Sequence, residues 1–66
     1  MTIFLNGDRT DCGNTRTIDE LIQRHRLAPE TTLVERNGKP LRRREWPEQT
    51  LQEGDRIEIL RVAAGG

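Results

Sequence analysis

The chain has 66 residues, with 11 Lys and Arg against 11 Asp and Glu, so its formal net charge is zero. That length fits one domain, and a chain this short buries only about 60% of the surface that its unfolded form exposes, which disfavours a deep catalytic cleft. Zero net charge with one Trp and one Phe disfavours nucleic-acid binding. No apolar run approaches the roughly 20 residues that cross a bilayer, so we expect no membrane association.

A single cysteine, Cys12, limits the possible covalent and metal chemistry. It can form no internal disulfide and no cysteine-rich zinc or iron–sulfur site. A chain without disulfides fits a reducing compartment, and its first residues lack the basic region and cleavage site of a signal peptide. We therefore expect a cytoplasmic protein. Leu, Ile, Val and Phe supply 15 of the 66 residues, just above the fraction of about one-fifth below which chains stay disordered, so a folded domain with a thin core is expected.

The first half of the chain predicts a hairpin followed by a helix. Residues 1–6 favour a strand with Ile3 and Leu5 on one face, a turn at Asn6-Gly7, and a second strand over residues 9–13. For the helix, Thr17 and Glu20 have the spacing of a capping box. Apolar residues then recur at i, i+3 and i+4, which predicts a helix over residues 18–26.

The second half predicts two paired strands, an irregular segment and a final strand. Residues 31–36 and 39–41 favour strands on either side of an Asn37-Gly38 turn. Residues 42–53 have no clean period, and Trp46 and Leu51 are their expected core residues. After a turn at Gly54-Asp55, residues 56–62 alternate as a strand. One helix cannot cover both faces of a sheet, so we predict an α+β fold with a mixed sheet of four to five strands on one helix.

The sheet face away from the helix carries a candidate docking surface. If Ile57 and Ile59 face the helix, Leu60 and Val62 face away from it, and Phe4 does the same on the first strand. Isolated surface hydrophobics are normal. Three on one face near the end of the chain favour a partner-docking surface formed by Phe4, Leu60 and Val62.

The last four residues are a second candidate site. We predict a domain over residues 1–62 and a flexible tail over residues 63–66, which consists of Ala63, Ala64, Gly65 and Gly66. Glycine has no Cβ, so a terminal Gly-Gly is slim enough to enter a narrow channel and present its carboxylate in another protein's active site. A frayed terminus without a function is the alternative, but Gly-Gly directly after a strand favours delivery.

Several segments spread along the chain together carry a resemblance to a known family. The opening Ile3-Phe4-Leu5-Asn6-Gly7 and the helix start Thr17-Ile18-Asp19-Glu20-Leu21 contribute to the resemblance. The other segments are Gly38-Lys39-Pro40-Leu41, Arg43-Arg44-Glu45-Trp46, the run from Thr50 to Ile59, and Ala64-Gly65-Gly66. Together these segments resemble the ThiS family of sulfur carriers in thiamine biosynthesis. The resemblance covers essentially the whole chain and implies the ubiquitin-like β-grasp fold.

The resemblance also implies a function without catalytic residues of the chain's own. A ThiF-type adenylating enzyme would use ATP and Mg to adenylate the Gly66 carboxylate. Sulfur from a cysteine desulfurase or another donor would replace the adenylate and leave a thiocarboxylate. Thiazole synthase would then take the sulfur for the thiazole ring. The carrier itself would bind no cofactor and no metal.

Three alternatives stay open. The chain could carry sulfur for molybdopterin or another sulfur-containing metabolite, or be a ubiquitin-like modifier joined to lysines. It could also be a β-grasp module that binds partners without covalent chemistry. An independent enzyme is least favoured, because the sequence offers no nucleophile–base pair and no metal-ligand pattern.

The remaining reactive or charged residues have simple structural interpretations. Cys12 could relay sulfur, but a lone cysteine is more often a small hydrophobic residue. His25 is expected as a solvated cation near the helix end. The run Arg42-Arg43-Arg44 is expected to be a solvated face, with docking to an acidic partner as the functional alternative. Trp46 is expected to cover the core.

Overall fold

The computed structural model describes residues 1–63, and this part of the chain contains five strands, one α-helix and two short 3-10 turns. The helix, α1, spans Ile18–Arg24, and the 3-10 turns span Pro29–Thr31 and Arg43–Glu48. The strands are β1 Thr2–Leu5, β2 Asp8–Asp11, β3 Thr32–Arg36, β4 Lys39–Leu41 and β5 Arg56–Arg61.

The strands form one mixed sheet in the order β2-β1-β5-β3-β4. The first and last strands, β1 and β5, lie side by side and parallel, and the other pairings are antiparallel. Parallel neighbours cannot be joined by a tight turn, so the chain crosses over through α1 between them. The predicted α+β fold with a mixed sheet on one helix is confirmed, with five strands.

The core lies between α1 and the sheet face that packs against it. The cap of α1 is the predicted one, because the Glu20 N–H donates to the Thr17 hydroxyl at 3.1 Å. The apolar stripe of α1 is buried, as predicted, and Trp46 and Leu51 close the core beside it. The buried core residues are Ile3, Cys12, Ile18, Leu21, Ile22, Val34, Trp46, Leu51 and Ile57.

The helix is two residues shorter than predicted. It ends at Arg24 with His25 as its C-cap, and Arg26 has the left-handed φ of 54°. The Arg26 N–H then bonds to the Gln23 carbonyl and the Leu27 N–H to the Ile22 carbonyl, which is the Schellman pattern. A left-handed arginine is uncommon, so the sequence did not reveal this stop.

Other element boundaries differ by one or two residues. The two-residue turn at Asn6-Gly7 sets Asp8 opposite Leu5, so β2 begins at Asp8. It ends at Asp11, whereas the predicted strand covered residues 9–13. The last strand ends at Arg61, one residue early. The segment predicted as irregular contains the 3-10 turn Arg43–Glu48. None of the helices in residues 1–63 is long and apolar enough to span a membrane.

A buried carboxylate organises one end of the sheet. Asp55 is 5% exposed, and its Oδ2 lies 2.9 Å from Nη2 of Arg36. The same carboxylate accepts a hydrogen bond from the Asn37 side chain at 3.1 Å and one from the Gln52 N–H at 2.8 Å. These partners satisfy the charge that burial would otherwise penalise.

The backbone around Asp55 extends this cluster to the neighbouring strands. The Asp55 carbonyl accepts the Phe4 N–H at 2.8 Å, which joins β1. Oδ1 of Asn37 accepts the Arg56 N–H at 2.9 Å, which fastens the β3–β4 hairpin to the start of β5. Asn37 was expected to serve only as a turn residue, so this second role is a correction.

The Asp55 cluster predicts a large loss of stability in Asp55→Asn. The substitution removes the charge that pairs with Arg36 and leaves that guanidinium half-buried without a counter-ion. We expect the free energy of unfolding to fall by about 3 kcal/mol, as measured by urea denaturation. The control is Asp8→Asn at an exposed carboxylate, which should change the stability by less than about 0.5 kcal/mol. Equal effects of the two variants would contradict the assigned role of Asp55.

Candidate functional site

The sheet face turned away from α1, here called the outer face, is exposed to solvent over most of its area. On β5, Ile57 is buried and faces α1, whereas Glu58 and Leu60 are exposed. The same alternation on β1 buries Ile3 and exposes Phe4. The predicted assignment of faces is therefore the one in the structure.

Three apolar side chains cluster at the end of the outer face where β5 finishes. Leu60 lies directly opposite Leu33 on β3, and each is 54% exposed. Val62 follows two residues after Leu60, is 45% exposed, and donates its N–H to the Thr31 carbonyl at 2.9 Å. We call Leu33, Leu60 and Val62 the apolar patch. Neighbouring exposed apolar side chains on one face are typical of a docking contact.

Phe4 shares the outer face but does not join the apolar patch. It lies opposite Arg56 of β5 on one side and Arg9 of β2 on the other. Leu60 is four residues farther along β5 than Arg56, which is about 13 Å at the usual strand rise. The structure thus brings together Leu60 and Val62 and places Phe4 apart, between two arginines.

Leu33 was missed by sequence reasoning although it is as exposed as Leu60. Its strand alternates buried Thr32, exposed Leu33 and buried Val34, and this order is not visible in the sequence, because the polar residue is buried and the leucine is exposed. What the sequence does not give is the register that sets Leu33 opposite Leu60, because β3 and β5 are far apart in the chain. Without the register, a leucine in a strand is assigned to the core.

The start of the predicted tail lies next to the apolar patch. Val62 and Ala63 are the last residues that the structure describes, and both are exposed. The predicted tail residues Ala64, Gly65 and Gly66 lie outside the described part, so the boundary between domain and tail stays a prediction.

Cys12 lies in the core at the edge of a cavity. Its thiol is buried and donates a hydrogen bond to the Met1 carbonyl at 3.2 Å. A cavity of about 360 Å³ borders it, and Arg24 and His25 also line this cavity. This position agrees with the structural interpretation of Cys12. Within residues 1–63 there is no group of three or more side chains that could hold a metal ion.

The other singled-out residues occupy simple positions. His25 is exposed at the end of α1. Arg42, Arg43 and Arg44 are exposed, and none forms an ion pair within the described part of the chain. Trp46 is only 1% exposed, so it belongs to the core and offers no stacking surface.

Burial predicts that the Cys12 thiol reacts slowly in the folded chain. Alkylation by iodoacetamide should be at least about a hundredfold slower in native buffer than in denaturant, because the reagent reaches the thiol only when the structure opens transiently. Mass spectrometry over time measures both rates. A Cys12→Ser variant supplies the unlabelled baseline, and a native rate close to the denatured rate would place the thiol at the surface.

Comparison with known proteins gives one family. The sequence model described as the ThiS family matches residues 3–66. No curated protein matches the chain. The crystal structure of the thiamine biosynthesis protein ThiS from Geobacter metallireducens shares 32% identity and a TM-score of 0.81, and the alignment covers 100% of both chains. The solution structure of a thiamine biosynthesis protein from the same organism has the same identity and TM-score, over 100% of this chain and 88% of that one.

Proposed function

The chain belongs to the ThiS family, and from this we propose that it carries sulfur for thiamine biosynthesis as a thiocarboxylate at Gly66. The observation that supports the proposal best is the extent of the family match, which runs from Ile3 through Gly66 and so includes the terminal Gly-Gly. In this proposal the partner enzymes bind the domain, and the reacting group is the α-carboxylate of Gly66.

The proposed loading takes place in three chemical steps. In the active site of a ThiF-type adenylating enzyme, the Gly66 carboxylate attacks the α-phosphate of Mg-bound ATP, and pyrophosphate leaves. The persulfide sulfur of a cysteine desulfurase or another donor then attacks the acyl carbon and displaces AMP. A thiol reduces the resulting acyl disulfide and leaves the thiocarboxylate. Thiazole synthase takes the sulfur from it, and the carboxylate returns.

The geometry around the end of β5 supports delivery of the tail. Residues 63–66 can reach at most about 14 Å beyond Val62 when extended, a length that suits a channel into a partner's active site. The apolar patch lies beside the start of this segment, so a partner that encloses the tail also covers Leu60 and Leu33. The absence of a side chain on Gly66 leaves the attacked carbon accessible.

Intact-mass analysis tests the proposal directly. The chain is incubated with ATP, Mg, a ThiF-type enzyme and a persulfide donor. Without the donor, we expect the mass of the chain to increase by that of an adenylate. With the donor, we expect the mass change that replacement of one oxygen by one sulfur produces. A variant that lacks Gly65 and Gly66 should keep its fold and gain neither mass. Loading of that variant, or no change in the wild type, would refute the proposal. A lysine-linked conjugate would instead favour the modifier alternative.

Leu60→Asp should weaken docking to the adenylating enzyme without unfolding the domain. A charge in the apolar patch opposes its burial, so we expect the dissociation constant to rise by about tenfold or more. Because Leu60 is half exposed, the melting midpoint should stay nearly unchanged. Phe4→Asp is the comparison on the same face, about 13 Å away. An effect of Phe4→Asp alone would move the docking surface towards β2, and no effect of either would place it elsewhere.

A further inference from the structure

Two glutamates face each other in the middle of the outer face. Glu35 on β3 and Glu58 on β5 are directly opposite in the antiparallel ladder, in the row next to Leu33 and Leu60. Like charges in this arrangement destabilise a sheet. Within residues 1–63 neither carboxylate forms an ion pair or a hydrogen bond, since the ion pairs there are Met1–Asp11 and Arg36–Asp55. In the described part of the chain, these two carboxylates therefore face each other without a partner that offsets their like charges.

The space beside this pair is lined by two carboxylates, by the guanidinium of Arg56 and by one large apolar side chain, that of Leu60. A shallow cavity of about 310 Å³ is lined by Glu35, Gly38, Arg56, Glu58 and Leu60. Arg56 borders it but makes no ion pair with either glutamate in the described part of the chain. The cavity could thus accept an elongated side chain with an apolar stem and a cationic head.

We propose that this cavity binds an arginine of the adenylating enzyme when the carrier docks. The inference rests on the proposed function. A guanidinium can donate to two carboxylates at once because its donors form a planar fork, which the ammonium of lysine cannot match. The methylene stem would lie on Leu60. The enzyme is the chosen occupant because it must enclose the tail, which begins beside the apolar patch in the adjoining rows of the same face.

The pair would then contribute specificity and speed of encounter. Two carboxylates attract a cationic surface before contact, and they repel an acidic one. Arg56 lies nearby but pairs with neither carboxylate, so a cation that bonds to both of them relieves repulsion that remains in the free carrier, and the contact favours the complex. The adjacent leucines supply the apolar area that the charges lack.

Binding measurements on Glu35→Gln/Glu58→Gln test the inference. Titration against a ThiF-type enzyme that loads the wild type should give a dissociation constant about tenfold or more above that of the wild type. The control Asp8→Asn/Glu48→Gln makes the same change in net charge at exposed carboxylates away from the outer face, and it should stay within about threefold. The affinity of the wild type should fall more steeply with salt than that of Glu35→Gln/Glu58→Gln.

The stability of the same variants separates docking from folding. Removing the repulsion should leave the melting midpoint of Glu35→Gln/Glu58→Gln at or above that of the wild type. An equal affinity of this variant and the control would overturn the inference. The inference would also be overturned if the substitutions changed only the self-association of the chain, as measured by sedimentation, because the occupant of the cavity would then be a second copy of the chain.

Failure of the arginine contact can be distinguished from failure of the proposed function. At saturating enzyme, Glu35→Gln/Glu58→Gln should still acquire the sulfur mass, because the acyl chemistry takes place at Gly66. If the variant loads and binds as tightly as the wild type, the arginine contact is refuted and the carrier function stands. If the wild type itself gains no mass, the carrier function is refuted whatever the affinities are.

Discussion

The buried Asp55 carboxylate is the interaction on which the arrangement of the sheet depends. Strand β5 must lie between β1 and β3, although neither neighbour is close to it in sequence. Asp55 fixes its start by holding Arg36 through its side chain and Phe4 through its carbonyl. A single group of satisfied hydrogen bonds thus sets where β5 begins relative to both neighbours. In a domain with so thin a core, directional bonds of this kind specify a register that apolar packing alone leaves open.

This constraint at one end of β5 leaves the other end free for function. The polar cluster around Asp55 lies where β5 starts, and the apolar patch lies where it finishes. The inner face is committed to α1, and the residues along the outer face are not needed for the core. Substitutions at Leu60 or Glu58 are therefore separable from folding, whereas substitutions at Asp55 are not. The proposed docking surface could therefore change without loss of the fold.

The sequence was sufficient for features that depend on local periodicity. The capping box at Thr17, the apolar stripe of α1 and the alternation of β5 each identified an element and its buried face. The helix end was missed because a left-handed arginine has no local signature, and its strain is offset by backbone bonds at Leu27. The candidate site was only partly predictable, since Leu33 meets Leu60 through a pairing between distant segments. The same reason explains why Phe4 was grouped with residues that it does not approach.

A carrier in the proposed cycle must bind several partners in turn and leave each of them. An extended apolar interface would bind tightly and release slowly, because most differences in affinity appear in the rate of dissociation. The outer face has instead a small apolar patch beside a charged row, and Glu35 and Glu58 lie at their junction. Charges raise the rate of encounter more than they raise affinity. This composition favours a fast and selective contact with a limited buried area, and such a contact fits the chemistry that we propose for the end of the tail.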